Sequence, residues 1–287
     1  MRKLILVSLT ILLLCCAVPT DLQAQQPTPT PGPLTFYYDY SVFPGKEEDL
    51  NTLIRTVGAP VRDKLMAEGV IMAWGVETPI MRYPGGTTHL IWFTVANWAG
   101  VEKVLNGMEA RLAQLAREEA QPGRGRPRGA MTTAELSRAV FDGTKTRDWL
   151  TRDIVAGFGP PPAAGVLPFT RYNFIKVKPG KGADYRRTWE KYNKPVFDKL
   201  VADGVVLGYG LAAEEVKTDG NWTHFVWIAT ATMAAGDRIG PAFAADRARR
   251  SEKDRNQITE DFLDATEPDK ARSMVTRARI FKIAPQR

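Results

Sequence analysis

Short apolar segments alternate along the chain with longer segments of helical periodicity. Four apolar segments in the first half have the composition of β-strands: residues 37–43, 70–76, 88–96 and 150–158. A helical segment interrupted by Pro60 lies between the first two, and residues 101–119 form a further helix. Gly69 is placed to end the first helical segment as a left-handed cap. The predicted order of elements is therefore β-α-β-β-α-β.

The second half of the chain repeats this pattern, and Gly204 is placed to cap a helix there as Gly69 is in the first half. Residues 37–92 match residues 172–227 at a constant spacing of 135, and 19 of these 56 positions are identical. Near the fourth strand the spacing becomes 125, where residues 150–152 resemble residues 275–277. The second half has a predicted helix at residues 237–253, and its predicted strands are residues 171–177, 205–211, 223–231 and 275–283. Similarity at a fixed spacing indicates a duplicated structural unit.

The N-terminus has the layout of a secretory leader. A short basic start precedes an apolar run, and Ala24 offers a small residue before a cleavage point. We therefore expect residues 1–24 to be a signal peptide and the protein to be exported to the periplasm or the medium. Both cysteines of the chain, Cys15 and Cys16, lie in this leader. A processed chain would then have no disulfide and no thiol nucleophile.

The remaining chain divides into two repeats and their connections. We predict a Pro/Thr-rich tether at residues 25–34, a first repeat at 35–158, a linker at 159–167 and a second repeat at 168–284. A basic loop at residues 119–131 accounts for part of the net charge of +7. Because no aromatic residue interleaves with its arginines, we favour a solvated loop and expect no nucleic-acid partner. No stretch after the leader is long enough to cross a membrane.

The two histidines of the chain occupy the same position of each repeat, in the third predicted strand. If the third strand pairs with the first, and the fourth strand flanks the first on its other side, Tyr37 and Arg152 approach His89. The corresponding residues of the second half are His224, Tyr172 and Arg277. Histidine is a natural proton carrier, arginine holds a carboxylate or enolate, and tyrosine donates a hydrogen bond. The histidines and tyrosines are therefore the catalytic candidates, and the histidines and arginines are ligand-binding candidates.

Two further ligand-binding candidates are Trp92 and Trp227, whose bulk suits either a core or an apolar cavity. The histidines also have a structural interpretation, because a strand histidine beside apolar residues is often a core residue with one hydrogen bond. Both interpretations stay open at this point. We expect no metal site, since one histidine per repeat supplies too few ligands.

The twice-repeated β-α-β-β-α-β order resembles the dimeric alpha-beta-barrel superfamily. That group includes antibiotic-biosynthesis-monooxygenase-like, EthD-like and NIPSNAP-like proteins and chlorite-dismutase-like haem proteins. The resemblance implies an α+β fold of two tandem ferredoxin-like repeats that form a dimeric α/β-barrel arrangement within one chain. Haem-binding relatives generally present the axial histidine from a helix, whereas no predicted helix here contains a histidine, so we expect no cofactor.

Two functions are compatible with these features. The first is an exported, non-catalytic protein that binds a small apolar or amphipathic ligand or a partner, which the absence of catalytic motifs favours. The alternative is a cofactor-independent monooxygenase-like or isomerase-like enzyme that uses His89 or His224. The sequence leaves the oligomeric state open.

Overall fold

The computed structural model describes residues 31–81, 86–121, 131–163, 165–218 and 221–285. The predicted signal peptide and most of the predicted tether lie outside the described residues, as does the centre of the basic loop, residues 122–130. The described residues contain eight β-strands: β1 (Leu34–Tyr40), β2 (Ile71–Pro79), β3 (His89–Val95), β4 (Arg147–Phe158), β5 (Phe169–Ile175), β6 (Gly208–Val216), β7 (His224–Thr230) and β8 (Arg272–Ile283).

These strands form one closed barrel in the order β1-β3-β2-β8-β5-β7-β6-β4. The predicted fold class, two tandem ferredoxin-like repeats, is therefore wrong. Each such repeat would have its own four-stranded sheet with two free edges. Here β2 pairs with β8, and β4 pairs with β6, so that each pair joins the two halves of the chain. Closure pairs the backbone groups that an open sheet would leave free along its edges.

The local strand pairings that we predicted are present. Strand β1 pairs with β3 on one side and with β4 on the other, and β5 pairs in the same way with β7 and β8. The predicted left-handed caps are also confirmed, since Gly69 has a φ of 76° and Gly204 has a φ of 67°. The self-matching segments thus have the same order and pairing of strands in both halves.

The described helices are α1 (Glu47–Leu53), α2 (Ala59–Ala67), α3 (Trp98–Ala120), α4 (Thr133–Val140), α5 (Gly182–Tyr192), α6 (Lys194–Ala202), α7 (Met233–Gly236), α8 (Ile239–Ala248) and α9 (Glu252–Ala265). A π-helical turn, Ile54–Gly58, joins α1 to α2, and a 3₁₀ turn, Pro268–Lys270, precedes β8. The single helix predicted over residues 237–253 is wrong. Ser251 interrupts this segment, because its hydroxyl accepts a hydrogen bond from the backbone N–H of Asp254 and so caps the start of α9.

Each strand alternates its side chains between two environments. On the outer face, apolar side chains pack under the helices, with Trp74 and Phe93 in the cluster of the first half and Tyr209 and Leu211 in that of the second. The inner face has its own cluster of mostly aromatic side chains: Tyr37, Leu90, Trp92, Trp149, Tyr172, Phe174, Ala212, Trp222 and Phe225. The barrel interior is therefore a packed core rather than an open pore.

Candidate functional site

A buried carboxylate lies among the aromatic side chains of the barrel interior. Glu77, on β2, is 1% exposed. Its Oε1 accepts hydrogen bonds from Trp92 Nε1 at 3.0 Å and from the Thr170 hydroxyl at 3.3 Å. Its Oε2 accepts from the Tyr172 hydroxyl at 3.0 Å and from the Thr276 hydroxyl. Burial raises the pKa of Glu77, and the four hydrogen bonds oppose that shift because they favour the charged form.

A second acidic residue lies in the same interior, on the opposite side of the barrel. Asp153, on β4, accepts a hydrogen bond from Trp227 Nε1 at 3.5 Å. Burial raises the pKa of Asp153 to about 7, and the hydrogen bond from Trp227 lowers it by less. A carboxyl group with a pKa in this range exchanges its proton near neutral pH.

The two acids occupy complementary positions where the halves of the chain join. On the β2·β8 pair, Glu77 faces Ala278; on the β6·β4 pair, Asp153 faces Ala212. Ala212 stands 135 residues after Glu77, and Ala278 stands 125 residues after Asp153, so each acid is replaced by alanine in the other half. Each junction therefore has one carboxyl group opposite one methyl group, and that carboxyl group is fully buried at Glu77 and partly buried at Asp153.

Tyrosines fill the space between these acids and one end of the barrel. Tyr37 stacks on Trp149 with ring centroids 4.1 Å apart, and it meets Tyr172 edge-on at 6.3 Å. Burial raises the pKa of Tyr37 well above its usual value, and the charges of Asp153 and Glu77 add to that effect. Tyr37 is therefore a neutral phenol at physiological pH.

A cavity of about 230 Å³ opens at this end of the barrel. Its lining residues are Asp39, Thr87, Arg147, Trp149, Phe174, Thr218, Trp222, Arg272, Ser273 and Met274. Three rings form its apolar wall: Trp222 meets Trp149 edge-on at 5.2 Å and Phe174 at 5.4 Å. This combination of aromatic walls and a few charged groups is typical of a small-molecule site.

The two arginines of the cavity are placed alike but are paired differently. Arg147 and Arg272 stand 125 residues apart, at the first position of β4 and of β8. Arg147 Nε donates to the buried carboxylate of Asp39 at 2.9 Å. In the second half the position of Asp39 is taken by Phe174, and the Arg272 guanidinium lies 4.8 Å from the centre of that ring. Within the described segments no carboxylate forms an ion pair with Arg272.

Four of the eight predicted site residues lie inside the barrel: Tyr37, Tyr172, Trp92 and Trp227. The two predicted arginines lie elsewhere. Arg152 forms a two-pronged ion pair with Glu215, with N–O distances of 2.6 and 2.9 Å, and it also donates to the carbonyl of Gly32. Arg277 is exposed, with its guanidinium 5.5 Å from the ring of Phe169.

The expected convergence of tyrosine, histidine and arginine in each half is wrong. Along β1, Tyr40 faces His89 and Leu34 faces Arg152, so these two candidates lie at opposite ends of the strand. Tyr37 lies three residues from Tyr40 and points to the other face of the sheet. Pairing of the strands was predicted correctly, but the register separates the side chains.

Both histidines lie on the outer face of the barrel, beneath the helices. His224 packs edge-on against the Tyr185 ring at 5.6 Å and lies 2.9 Å from the Thr223 hydroxyl. Burial lowers its pKa to about 4. His89 is buried, and its Nδ1 lies 3.1 Å from the Thr88 hydroxyl. The inner aromatic cluster and the cavity therefore lie across the sheet from these rings.

The residues that sequence reasoning missed are Glu77, Asp153, Asp39, Arg147 and Arg272. A weak signal was available for Glu77 and Asp39, because each is an acid in a strand of mostly apolar or aromatic residues. Asp153 had no such signal, since β4 contains several other polar residues. The arginines are matched at the spacing of 125 that also relates Arg152 to Arg277, but only the register decides which pair lines a cavity.

Two negative findings apply to the described part of the chain. It has no group of three or more histidine, cysteine, aspartate or glutamate side chains placed to hold a metal ion. None of its helices is both long enough and apolar enough to cross a membrane.

Neither a family model nor a curated protein matches this sequence. Solved structures do match. A proposed monooxygenase from Fusobacterium nucleatum has a TM-score of 0.54 at 12% identity, over 88% of this chain and 95% of its own. A proposed monooxygenase from Lactobacillus acidophilus has a TM-score of 0.54 at 10% identity, over 88% and 97%. An anthrone oxidase-like protein has a TM-score of 0.51 at 10% identity, over 89% and 94%. This chain therefore shares the fold of these three proteins along 88–89% of its length.

Proposed function

We propose that this protein binds a small apolar or aromatic molecule that carries one anionic group, in the cavity beside Arg147 and Arg272. The observation that carries this proposal is the difference between the two arginines. Arg147 has the Asp39 carboxylate as a partner, whereas the matching position next to Arg272 is a phenylalanine. A ligand carboxylate would supply the negative charge that the second half lacks.

The size and walls of the cavity limit the ligand. A cavity of about 230 Å³ is smaller than the roughly 300–1,000 Å³ of sites for drug-sized molecules, so the ligand has on the order of one ring. Trp149, Phe174 and Trp222 offer faces and edges on which an aromatic ring packs. A ring in this position would place its carboxylate at the exposed mouth, where Arg272 lies.

Titration with benzoate and with uncharged benzyl alcohol tests the proposal, with isothermal calorimetry as the measurement. Arg272→Met keeps an apolar stem and removes the charge. We expect it to weaken benzoate binding about tenfold or more, since a hydrogen bond to a charged group contributes roughly 1.5–3 kcal/mol. Binding of benzyl alcohol should be unchanged.

Arg277→Met is the matched control, because Arg277 lies on the same strand outside the cavity lining. It should bind benzoate like the wild type. Equal benzoate affinity in the two variants would refute the role of Arg272. A wild type that shows no benzoate binding at millimolar concentration would refute the ligand class.

A second candidate function is an enzyme of the isomerase or cofactor-independent oxygenase type. Asp39 is the carboxylate among the lining residues, and it lies beside Arg147. With a ligand carboxylate held by Arg272, Asp39 could accept a proton from the adjacent ligand carbon, which is the first step of both reaction types. The fold likeness to proteins named as monooxygenases supports considering this chemistry. Asp39→Asn should abolish turnover of a candidate carbon acid while it retains benzoate binding.

A further inference from the structure

A buried arginine lies in the first half, between the helices and the outer face of the barrel. Arg62, on α2, is 3% exposed. Its Nε is fully buried and has no hydrogen-bond partner. Across the described ranges the Arg62 guanidinium has no ion pair with a carboxylate. The rings of Tyr38 and Trp74 lie 5.8 and 5.7 Å from its central carbon.

The acid next to Arg62 in the sequence, Asp63, is already bound by other donors. Asp63 accepts a hydrogen bond from Trp74 Nε1 at 3.0 Å and binds Lys282 Nζ at 2.7 and 2.8 Å. Burial lowers the pKa of Arg62, while Tyr38, Tyr40 and Asp63 oppose that shift. A guanidinium remains charged in this setting, so it needs an anionic partner or it lowers the stability of the fold.

The second half shows that the fold does not require this arginine. Phe197 stands 135 residues after Arg62 and stacks on Tyr209 at 5.0 Å. The surrounding frame is otherwise alike, because Asp198 accepts a hydrogen bond from the Tyr209 hydroxyl just as Asp63 accepts one from Trp74. An aromatic ring therefore satisfies packing at this position, and the arginine in the first half needs another explanation.

The backbone beside Arg62 also leaves room for the guanidinium. Gly58 ends the π-helical turn, and a side chain there would place its Cβ 2.4 Å from Arg62 Nη1. In the second half the matching residue is Asn193, beside Phe197. Single π-helical turns within α-helices occur frequently at functional sites. Of the two matched segments, only the one in the first half therefore combines this glycine with this arginine.

We infer that Arg62 forms a binding site for a compact monoanion, of the size of a formate or acetate carboxylate, between α2 and the outer face of β1. The Nε–H and an Nη–H of a guanidinium form a fork that binds a carboxylate through two parallel hydrogen bonds. Tyr38 and Tyr40 lie on the outward face of β1, and the Tyr38 ring lies 5.8 Å from the central carbon of the guanidinium. The small exposure of Arg62 restricts the occupant to a few atoms.

Thermal unfolding of the full chain in increasing sodium formate tests this site. The wild-type melting temperature should rise with the logarithm of the formate concentration above the dissociation constant, by about 3 °C at ten times that constant. Arg62→Phe, which copies the second half, should melt at a higher temperature than the wild type without formate. It should show only the small shift that the same concentration of sodium chloride causes. Arg62→Lys, which keeps the charge and loses the fork, should bind formate more weakly.

Arg272→Met separates this inference from the proposed function, because it alters the cavity and leaves Arg62 intact. It should respond to formate like the wild type. A response lost in Arg272→Met and kept in Arg62→Phe would place the anion in the cavity and overturn the Arg62 site. A formate-induced rise in melting temperature that is no larger in the wild type than in Arg62→Phe would also overturn the site. The same holds if Arg62→Phe melts below the wild type in the absence of formate.

Discussion

Replacing Asp153 by asparagine should stabilise the protein above pH 7 and leave its stability nearly unchanged near pH 4. Asparagine has the same shape, carries no charge and keeps an oxygen to accept the hydrogen bond from Trp227. Burial raises the pKa of Asp153 to about 7 in the folded protein, whereas an aspartate in an unfolded chain has a pKa of about 3.9. The folded state therefore holds this proton more tightly than the unfolded state does.

The sign and size of the effect follow from that difference. The contribution of Asp153 to stability is fully present below about pH 4 and is lost as the pH rises to about 7. A difference of about 3 pKa units corresponds to about 4 kcal/mol as an upper limit. Because the residue keeps some solvent exposure, water weakens the penalty, and we expect about 2–4 kcal/mol.

Urea unfolding followed by circular dichroism at pH 4, 5, 6, 7 and 8 measures this effect. The free energy of unfolding of Asp153→Asn should exceed that of the wild type by an amount that grows from pH 4 to pH 7. Asp246→Asn is the control with the opposite sign, because its hydrogen bond to Arg250 lowers the pKa of Asp246. Parallel curves for the wild type and Asp153→Asn over this range would refute the reasoning.

Two further predictions concern Glu77 and His224. Glu77→Gln should change the free energy of unfolding by less than about 1 kcal/mol, because the glutamine oxygen can accept from Trp92 while its NH2 group donates to the hydroxyls of Tyr172 and Thr276. Glu77→Ala should lower the free energy of unfolding by about 3 kcal/mol or more, since Trp92 and Tyr172 lose their acceptor. Urea unfolding of both variants measures these changes. His224→Gln should lose less stability than the wild type between pH 6.5 and pH 4. Burial lowers the pKa of His224 to about 4, so the wild type gains a proton when it unfolds in this range. Melting temperatures that fall equally with acid in both proteins would contradict this.

The sequence predicted the strands well because their signal is local. The apolar periods and the glycine caps at Gly69 and Gly204 depend on neighbouring residues. The caps lie where we expected them, whereas β1 begins three residues before its predicted start and β6 begins three residues after. Closure of the barrel was not predictable in this way. It depends on pairs such as Glu77 with Ala278, which are separated by most of the chain and carry no local pattern.

The site was only partly predictable for the same reason. Tyr37 and Trp92 were selected as aromatic residues of matched strands, and both lie in the barrel interior. His89 was selected for its chemistry, but a shift of one position along a strand moves a side chain to the other face of the sheet. Arg272 differs from Arg277 only in position along β8, so its place at the cavity follows from register and not from residue type.

The arrangement of the buried acids makes the two halves of this chain obligate partners. Glu77 and Asp153 both belong to the first half, and Ala212 and Ala278 both belong to the second. A homodimer of first halves would set a glutamate against an aspartate at both junctions, so two buried carboxyl groups would compete for one set of donors. A homodimer of second halves would have methyl groups alone at both junctions and would leave buried tryptophan and tyrosine donors without acceptors. When the halves are expressed as separate polypeptides, the heterodimer should therefore form in preference to either homodimer.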